Sequence, residues 1–442
     1  MKNLWIRIIC LSFIVMASDL ANAQTKNVVS TVSPKEYYVS VDKGKGNLGT
    51  KKKPVKDLGD IISLLAPGDI VHIAQGEYLG TNGIGAYSTN VPCTIIGGYS
   101  NDFSQRDPWG EYKTIFSGSN RLNETSTEAR LKIETHLKYP EYKGEIVVDG
   151  IIIDNGDRNL YADEKKLQIL RTDNSEQSKH ATPNTEGIKI TTGKYCNATV
   201  KNCIVLNTAS LEGAIYTAGN KSSMIKIDNN LIINNTGEGI HATSLWKPAD
   251  GNNPTMYEIT NNTILFTWRY DELAKNYSGN ALKMDKEVQL MCLGNIFGFS
   301  DVGGINNVKA AKNIILIDNL FMANREYDYR ESESKMRVGK IGLESKLVAP
   351  ESSENLSEVT NLQVDSLWAE IYASRKIIAQ AKTENNTTAE NSDNNSVRTI
   401  LNLELKNDEI IETKICLHHM DLEKTIKIGI EKYLGKFGCV KP

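Results

Sequence analysis

The chain has 442 residues, a formal net charge of −3, 40% hydrophobic residues and 7% aromatic residues. That length suits one large domain or two ordinary ones. The near-neutral balance lacks the basic face that nucleic acid would need, and no stretch after the N-terminus is long and apolar enough to span a bilayer.

Lys2 and Arg7 flank an apolar run from Ile8 to Ala17, and Ala21-Asn22-Ala23 is a small-x-small cleavage signal. The pattern predicts a signal peptide over 1–23 and a mature start near Gln24. The protein is then secreted, periplasmic or displayed at the cell surface. Six cysteines remain: Cys93, Cys196, Cys203, Cys292, Cys416 and Cys439. None stands in a C-x-x-C pair, which argues against zinc. Cys93, Cys203 and Cys292 sit in apolar text and read as buried thiols. An oxidising compartment would permit a disulfide between Cys416 and Cys439.

Residues 37–118 read as a strand at Tyr37-Tyr38-Val39, a helical apolar pattern from Leu58 to Leu65, a turn at Pro67-Gly68-Asp69 and a strand at Ile70-Val71-His72-Ile73. The text GNLGTKKKPVKDLGDIISLLAPGDIVHIAQGEY resembles the opening of secreted right-handed parallel β-helix proteins of the pectate-lyase-like kind. The resemblance implies an all-β solenoid whose first coil is capped by a short helix. Thr94–Tyr99 and Thr114–Gly118 look like the next coil strands of that family. A cap is physically required, because a solenoid end exposes apolar side chains and unpaired backbone.

Further along, an apolar strand, an Asn and more apolar residues recur: VKNCIVLN (Asn202), IDNNLIINN (Asn230), ITNNTILF (Asn262), CLGNIFGF (Asn295) and LIDNLFMAN (Asn319). The spacings are 28, 32, 33 and 24 residues, one coil each. Such Asn residues are expected to form a structural ladder through the stack. The solenoid is predicted over 35–325. Long polar interruptions at 155–183, 244–255 and 267–278 are of a size that walls a groove. Residues 326–442 change in composition and read as a C-terminal cap or appended α/β region, with a flexible loop near 384–396 (ENNTTAENSDNNS).

Three Glu-Gly pairs, Glu186-Gly187, Glu212-Gly213 and Glu238-Gly239, recur at 26-residue intervals in the phrases EGIKIT, EGAIYT and EGIHAT. A fixed period of this size marks stacked repeats. Taken as one register, it stacks Glu186, Glu212 and Glu238 about 4.8 Å apart. Gly is expected to turn each Glu outward while Ile188, Ala214 and Ile240 face the core. Stacked carboxylates could hold calcium. They could equally cap turns or pair with Lys189 and Lys194.

His241 alone in the repeat titrates near neutral pH, and it runs into the Trp246 insertion. Arg269, Tyr270 and Lys283 follow within a few coils. Such a set suits β-elimination on an anionic glycan, where a cation neutralises the uronate carboxylate and a base removes the adjacent proton. His241, Arg269 and Lys283 are the catalytic candidates. Lys189, Tyr216, Trp246, Trp268 and Tyr270 are the substrate-binding candidates. The coil repeats hold no Asp pair at hydrolase spacing, which counts against a hydrolase. The alternative is a non-catalytic, extracellular β-helix that binds glycan or a partner. The partner is expected to be an anionic polysaccharide, and the protein a monomer.

Overall fold

The computed structural model describes residues 33–80, 85–118, 129–155, 161–162, 184–210, 212–247, 253–269, 278–286, 288–309, 314–336, 393–406, 415–416 and 437–442. The expected leader lies outside them. Lys35–Pro442 is one compact unit, an all-β parallel β-helix. Each coil gives one strand to each of three parallel sheets. Among the described residues the first sheet holds nine strands in sequence order, from Glu36–Val39 to Ile314–Ile317. The second runs from Gly76–Tyr78 through Ile152–Asp154, Ile204–Leu206 and Thr263–Trp268 to Leu320–Met322. The third runs from Tyr87–Thr89 through Leu131–Glu134, Ile188–Thr191, Ile215–Gly219 and Asn280–Met284 to Tyr327–Glu331. Leu231–Ser244 continues through a corner and pairs in both the second and third ladders.

Burial patterns explain the sheets. In the first sheet Thr255–Thr260 and Val288–Leu293 alternate buried and half-buried residues, as expected when one face meets the core and the other meets water. Its inward residues, such as Val148, Val200, Ile227 and Ile259, join one core cluster with Ile190, Ile240 and Leu282 from the third sheet. Strands of the second sheet are buried on both faces. Their outward residues, including Ile204, Ile233, Leu265 and Ile296, pack with Val397 and Phe437.

The described residues at 393–406 and 437–442 therefore pack on the solenoid. The helix Asp393–Ile400 begins inside the polar text expected to form a flexible loop. From it, Arg398 forms a buried ion pair with Asp154 at 2.7 Å. Near the C-terminus, Val440 N–H donates to Asn229 Oδ1 at 2.7 Å and Gly438 N–H donates to the Gly294 carbonyl at 2.7 Å. The boundary expected at 325 falls inside the ladder, since Tyr327–Glu331 still pairs in parallel with Gly303–Asn307 before a short antiparallel return at Ser334–Met336.

The opening differs in detail. Residues 58–65 form two 3₁₀ turns, Leu58–Asp60 and Ile62–Leu64, started by an Asp57–Asp60 capping box. The run is short, contains Gly59 and stops before Pro67, so a longer helix has little to propagate it. Leu58, Ile61 and Leu65 still bury against the core. Cys93, Cys196, Cys203 and Cys292 are buried free thiols, and Cys439 is also free.

Asparagines set the register. Asn262 Nδ2 donates to Asn295 Oδ1 at 3.0 Å, Asn230 Nδ2 to Asn262 Oδ1 at 2.9 Å, and Asn295 Nδ2 to Asn319 Oδ1 at 2.8 Å. Each Oδ1 also receives a backbone N–H from the coil before it. Asn202 is not in this ladder: Cys203 occupies its place and donates its N–H to Asn230 at 2.9 Å. Asn202 instead begins a left-handed column with Asn229 and Asn261, at φ of 54°, 54° and 53°. Asn tolerates that conformation because its short side chain bonds locally. We expect Asn262→Ala to lower stability by about 2–4 kcal/mol, because it orphans buried groups on two neighbouring coils. Chemical denaturation followed by circular dichroism measures this.

Candidate functional site

In the third sheet Lys132 lies beside Lys189, Lys189 beside Tyr216, Tyr216 beside His241, and His241 beside Lys283. Asn306 and Arg330 continue the row. The flanking residues Ile188, Ile190, Ile215, Ile240, Ala242 and Leu282 are fully buried. With a period of two along a strand, the row therefore faces outward. Sequence reading had singled out Lys189, Tyr216, His241 and Lys283, and the register brings them together. It had missed Lys132, although the alternation Leu131-Lys132-Ile133-Glu134 carries the same signal.

The expected glutamate column does not form. Ile188 pairs with Ile215, and Ile215 with Ile240, so the structural spacings are 27 and 25 residues. The 26-residue sequence match places Glu212 one residue out of step. Gly213, at φ 126°, occupies the corner next to Ala214, while Ala214 N–H donates to the Glu238 carbonyl at 2.8 Å. The slip also moves Thr217 inward, fully buried, away from Thr191 and Thr243.

The three carboxylates consequently have separate lives. Glu186 is buried and takes Lys189 Nζ at 3.0 Å. Glu238 is buried and accepts both the N–H and Nδ2 of Asn280 at 3.0 Å. Glu212 is half exposed beside His241. The outward turn expected for Glu186 and Glu238 is thus replaced by burial. No group of three or more His, Cys, Asp or Glu side chains able to hold a metal ion occurs among the described residues. These glutamates do not fit a shared calcium ion.

His241 is the centre of the exposed arrangement. Its Nδ1 lies 2.9 Å from the Glu212 carbonyl oxygen and 3.5 Å from the Glu212 carboxylate. Its Nε2 lies 3.0 Å from Asp285 Oδ2. A carbonyl and a carboxylate only accept, so this geometry favours the imidazolium form, in which both ring nitrogens donate. Burial alone would lower its pKa, but the bonds to Asp285 and Glu212 outweigh burial and raise it. Burial pushes Asp285 up, yet the His241 bond, the His241 charge and the Thr243 hydroxyl bring it down to about 2. The bond from His241 likewise holds Glu212 below the usual carboxylate range. The expected open base at His241 is therefore a tied cation. Asp285 was missed by sequence reading, although it stands two residues after Lys283 and so shares its outward face.

Tyr216 meets the His241 ring edge-on at 5.2 Å, and Lys189 Nζ sits 5.1 Å from the Tyr216 ring centroid. Among the described residues Lys283 has no ion-pair partner, whereas Lys132 pairs with Glu134 at 3.6 Å and Lys189 with Glu186.

The remaining candidates lie elsewhere. Arg269 is held by Glu326 at 2.7 Å and by Asp301 at 3.5 Å. Trp268 is fully buried, stacks on Phe266 at 6.2 Å and donates Nε1–H to Asn234 at 2.7 Å. It packs the outer face of the second sheet and cannot stack on a sugar. Trp246 is half-buried in the turn beyond His241. Tyr270 lies outside the described residues.

No protein-family model matches the chain, and no curated protein matches it. Solved structures similar to it include two lyases. Pectate lyase Pel9A matches at 13% identity over 74% of this chain and 80% of its own, with a TM-score of 0.27. A rhamnogalacturonan lyase matches at 13% identity over 74% of this chain and 88% of its own, with a TM-score of 0.24.

Glu238 gives a pH test. Burial raises its pKa from 4.5 to about 7, against the pull of Lys283 and the Asn280 bonds. A carboxyl whose folded pKa is raised binds more protons folded than unfolded between those values, so stability falls as pH rises from 4.5 to 7. We expect Glu238→Gln to be more stable than wild type by about 3 kcal/mol at pH 8, with the difference fading below pH 4.5. Denaturation midpoints of both proteins across pH measure it.

Proposed function

We propose that the protein binds an anionic polysaccharide across the outward row of the third sheet and cleaves it by β-elimination. The observation that carries the reading is Lys283, an amine with no ion-pair partner among the described residues, in register with a His241 ring that is held in place on both sides. In this reading His241, oriented by Asp285 and Glu212, supplies fixed positive charge near the uronate carboxylate. That charge favours loss of the adjacent proton by stabilising the developing enediolate. Lys283, as the neutral amine, takes that proton; the C4–O bond to the leaving sugar then breaks to give the unsaturated uronate, and the ammonium so formed returns the proton to the leaving oxygen. Tyr216 and Lys189 position the chain on the neighbouring coil.

Hydrolysis fits less well. A two-carboxylate hydrolase needs one protonated acid, whereas Asp285 and Glu212 are both held toward the ionised form. Glu238, whose pKa is raised to about 7, is buried. A second reading, glycan binding without cleavage, draws on the ion pairs that occupy the other cations of the row. A secreted or cell-surface location accompanies either reading.

Incubation with polygalacturonate, alginate and hyaluronan, followed by ultraviolet absorbance, is expected to give an unsaturated uronate product on at least one. Lys283→Ala should lower kcat/KM by about 10²–10³-fold with an unchanged circular dichroism spectrum. No product on any polymer, with binding retained, would leave the non-catalytic reading in place.

A further inference from the structure

Five residues beyond Lys189, Tyr216 and His241 the chain turns at Lys194, Lys221 and Trp246. These turns stack. Lys194 N–H donates to the Pro140 carbonyl at 2.7 Å, Tyr195 N–H to the Lys221 carbonyl at 2.8 Å, and Leu245 N–H to the Gly219 carbonyl at 2.7 Å. The edge they form carries three aromatic rings, each with a lysine over its face. Lys138 Nζ is 5.6 Å from the Tyr139 centroid, Lys143 Nζ is 5.7 Å from Tyr195, and Lys221 Nζ is 5.4 Å from Trp246.

Two features of the edge are costly for the fold alone. Tyr195 adopts φ 61° and is 38% exposed. A bulky residue in the left-handed region is strained, and here the strain projects a ring into solvent. Trp246 Nε1 is buried with no hydrogen-bond partner, an arrangement that normally costs free energy. An acceptor supplied by a ligand would relieve it.

We propose that this edge is a second binding track for an acidic polysaccharide, separate from the His241–Lys283 row. Tyr195 and Trp246 stack on sugar faces, and Tyr139, half-buried against the core, borders the track. Lys138, Lys143 and Lys221 leave their weak exposed ring contacts to pair with carboxylates. Trp246 Nε1–H donates to a sugar oxygen. The track rests on the acidic-glycan part of the function above, not on cleavage. Because consecutive turns repeat about every 4.8 Å, it suits a polymer running along the solenoid axis, and it would hold long chains beside the row.

Affinity electrophoresis through polygalacturonate, alginate, neutral dextran or polyglutamate tests this. Wild type should be retarded by an acidic polysaccharide and not by dextran. The variant Tyr195→Asn/Trp246→Ala/Lys221→Ala should bind about tenfold more weakly while keeping the wild-type circular dichroism spectrum; Asn is chosen because it accepts the positive φ. Lys143→Ala alone should weaken retardation in the same direction. Lys283→Ala should lose product, and the track substitutions made in that background should still weaken retardation about tenfold. Wild-type retardation of the track variants would overturn the proposal. So would equal retardation by polyglutamate, which marks an acidic protein as occupant, or no retardation by either acidic polysaccharide. Absence of unsaturated product with retardation intact would sink cleavage alone and leave the track standing.

Discussion

Asn230, Asn262, Asn295 and Asn319 are fully buried at the corner between the first and second sheets. Each amide must find its partners within the protein, since a buried polar group left unpaired is costly. The neighbouring coils supply them: Asn262 and Asn295 each meet one Asn above and one below, and each takes a carbonyl such as Ile227, 2.8 Å from Asn262 Nδ2. That network is satisfied in one stacking register only. A slip of one residue would break the amide-to-amide bonds and send inward residues outward. The ladder thus fixes which side chains share a row on every other face.

Variation is absorbed between the fixed corners. The strand pairs of the third sheet lie in step although the sequence between them differs in length: Ile215 to Ile240, then Ile240 to Leu282. Where one residue is gained before Ala214, Gly213 takes up the excess at a φ that suits glycine. Glu212 thereby leaves the column of Glu186 and Glu238, and its carbonyl meets the His241 ring. The local departure from the repeat is what gives His241 its second hydrogen-bond acceptor. A strictly periodic chain would have placed a third carboxylate in the buried corner instead.

This explains what could be read from the chain and what could not. Coil strands, the Asn phrase and the outward neighbours of His241 follow from short-range periodicity, which the backbone obeys directly. Asn202 and Glu212 were each misplaced by one residue, because a repeated phrase reports similarity of text while hydrogen bonding decides register. Trp268 shows a different difficulty. Its place near polar insertions suggested a groove, but a β-helix sheet has two faces, and the outward face of the second sheet is covered by residues some 130 to 170 positions later, Val397 and Phe437. Nothing local in the text around Trp268 announces that cover.

The cover also decides where chemistry can sit. Arg398 reaches across to Asp154, which in turn accepts Asn207 Nδ2 at 3.1 Å, while Asn207 accepts Asn234 Nδ2 at 2.9 Å and Asn234 accepts the Trp268 indole. The charge of Arg398 is thereby joined to a polar chain through the stack, which compensates its burial better than an isolated pair would. Among the described residues, the outer face of the second sheet is thus covered by the chain itself. The first sheet presents outward pairs such as Lys226 and Glu258 at 3.1 Å, charges that largely satisfy one another on an open surface. The third sheet differs because its charges are partly withdrawn from water and interlocked: His241 is buried between Asp285 and Glu212 while Lys283 beside it stays without a counter-ion among the described residues. The charge of Lys283 is balanced at longer range by Glu212, Glu238 and Asp285, each of which it helps to keep ionised.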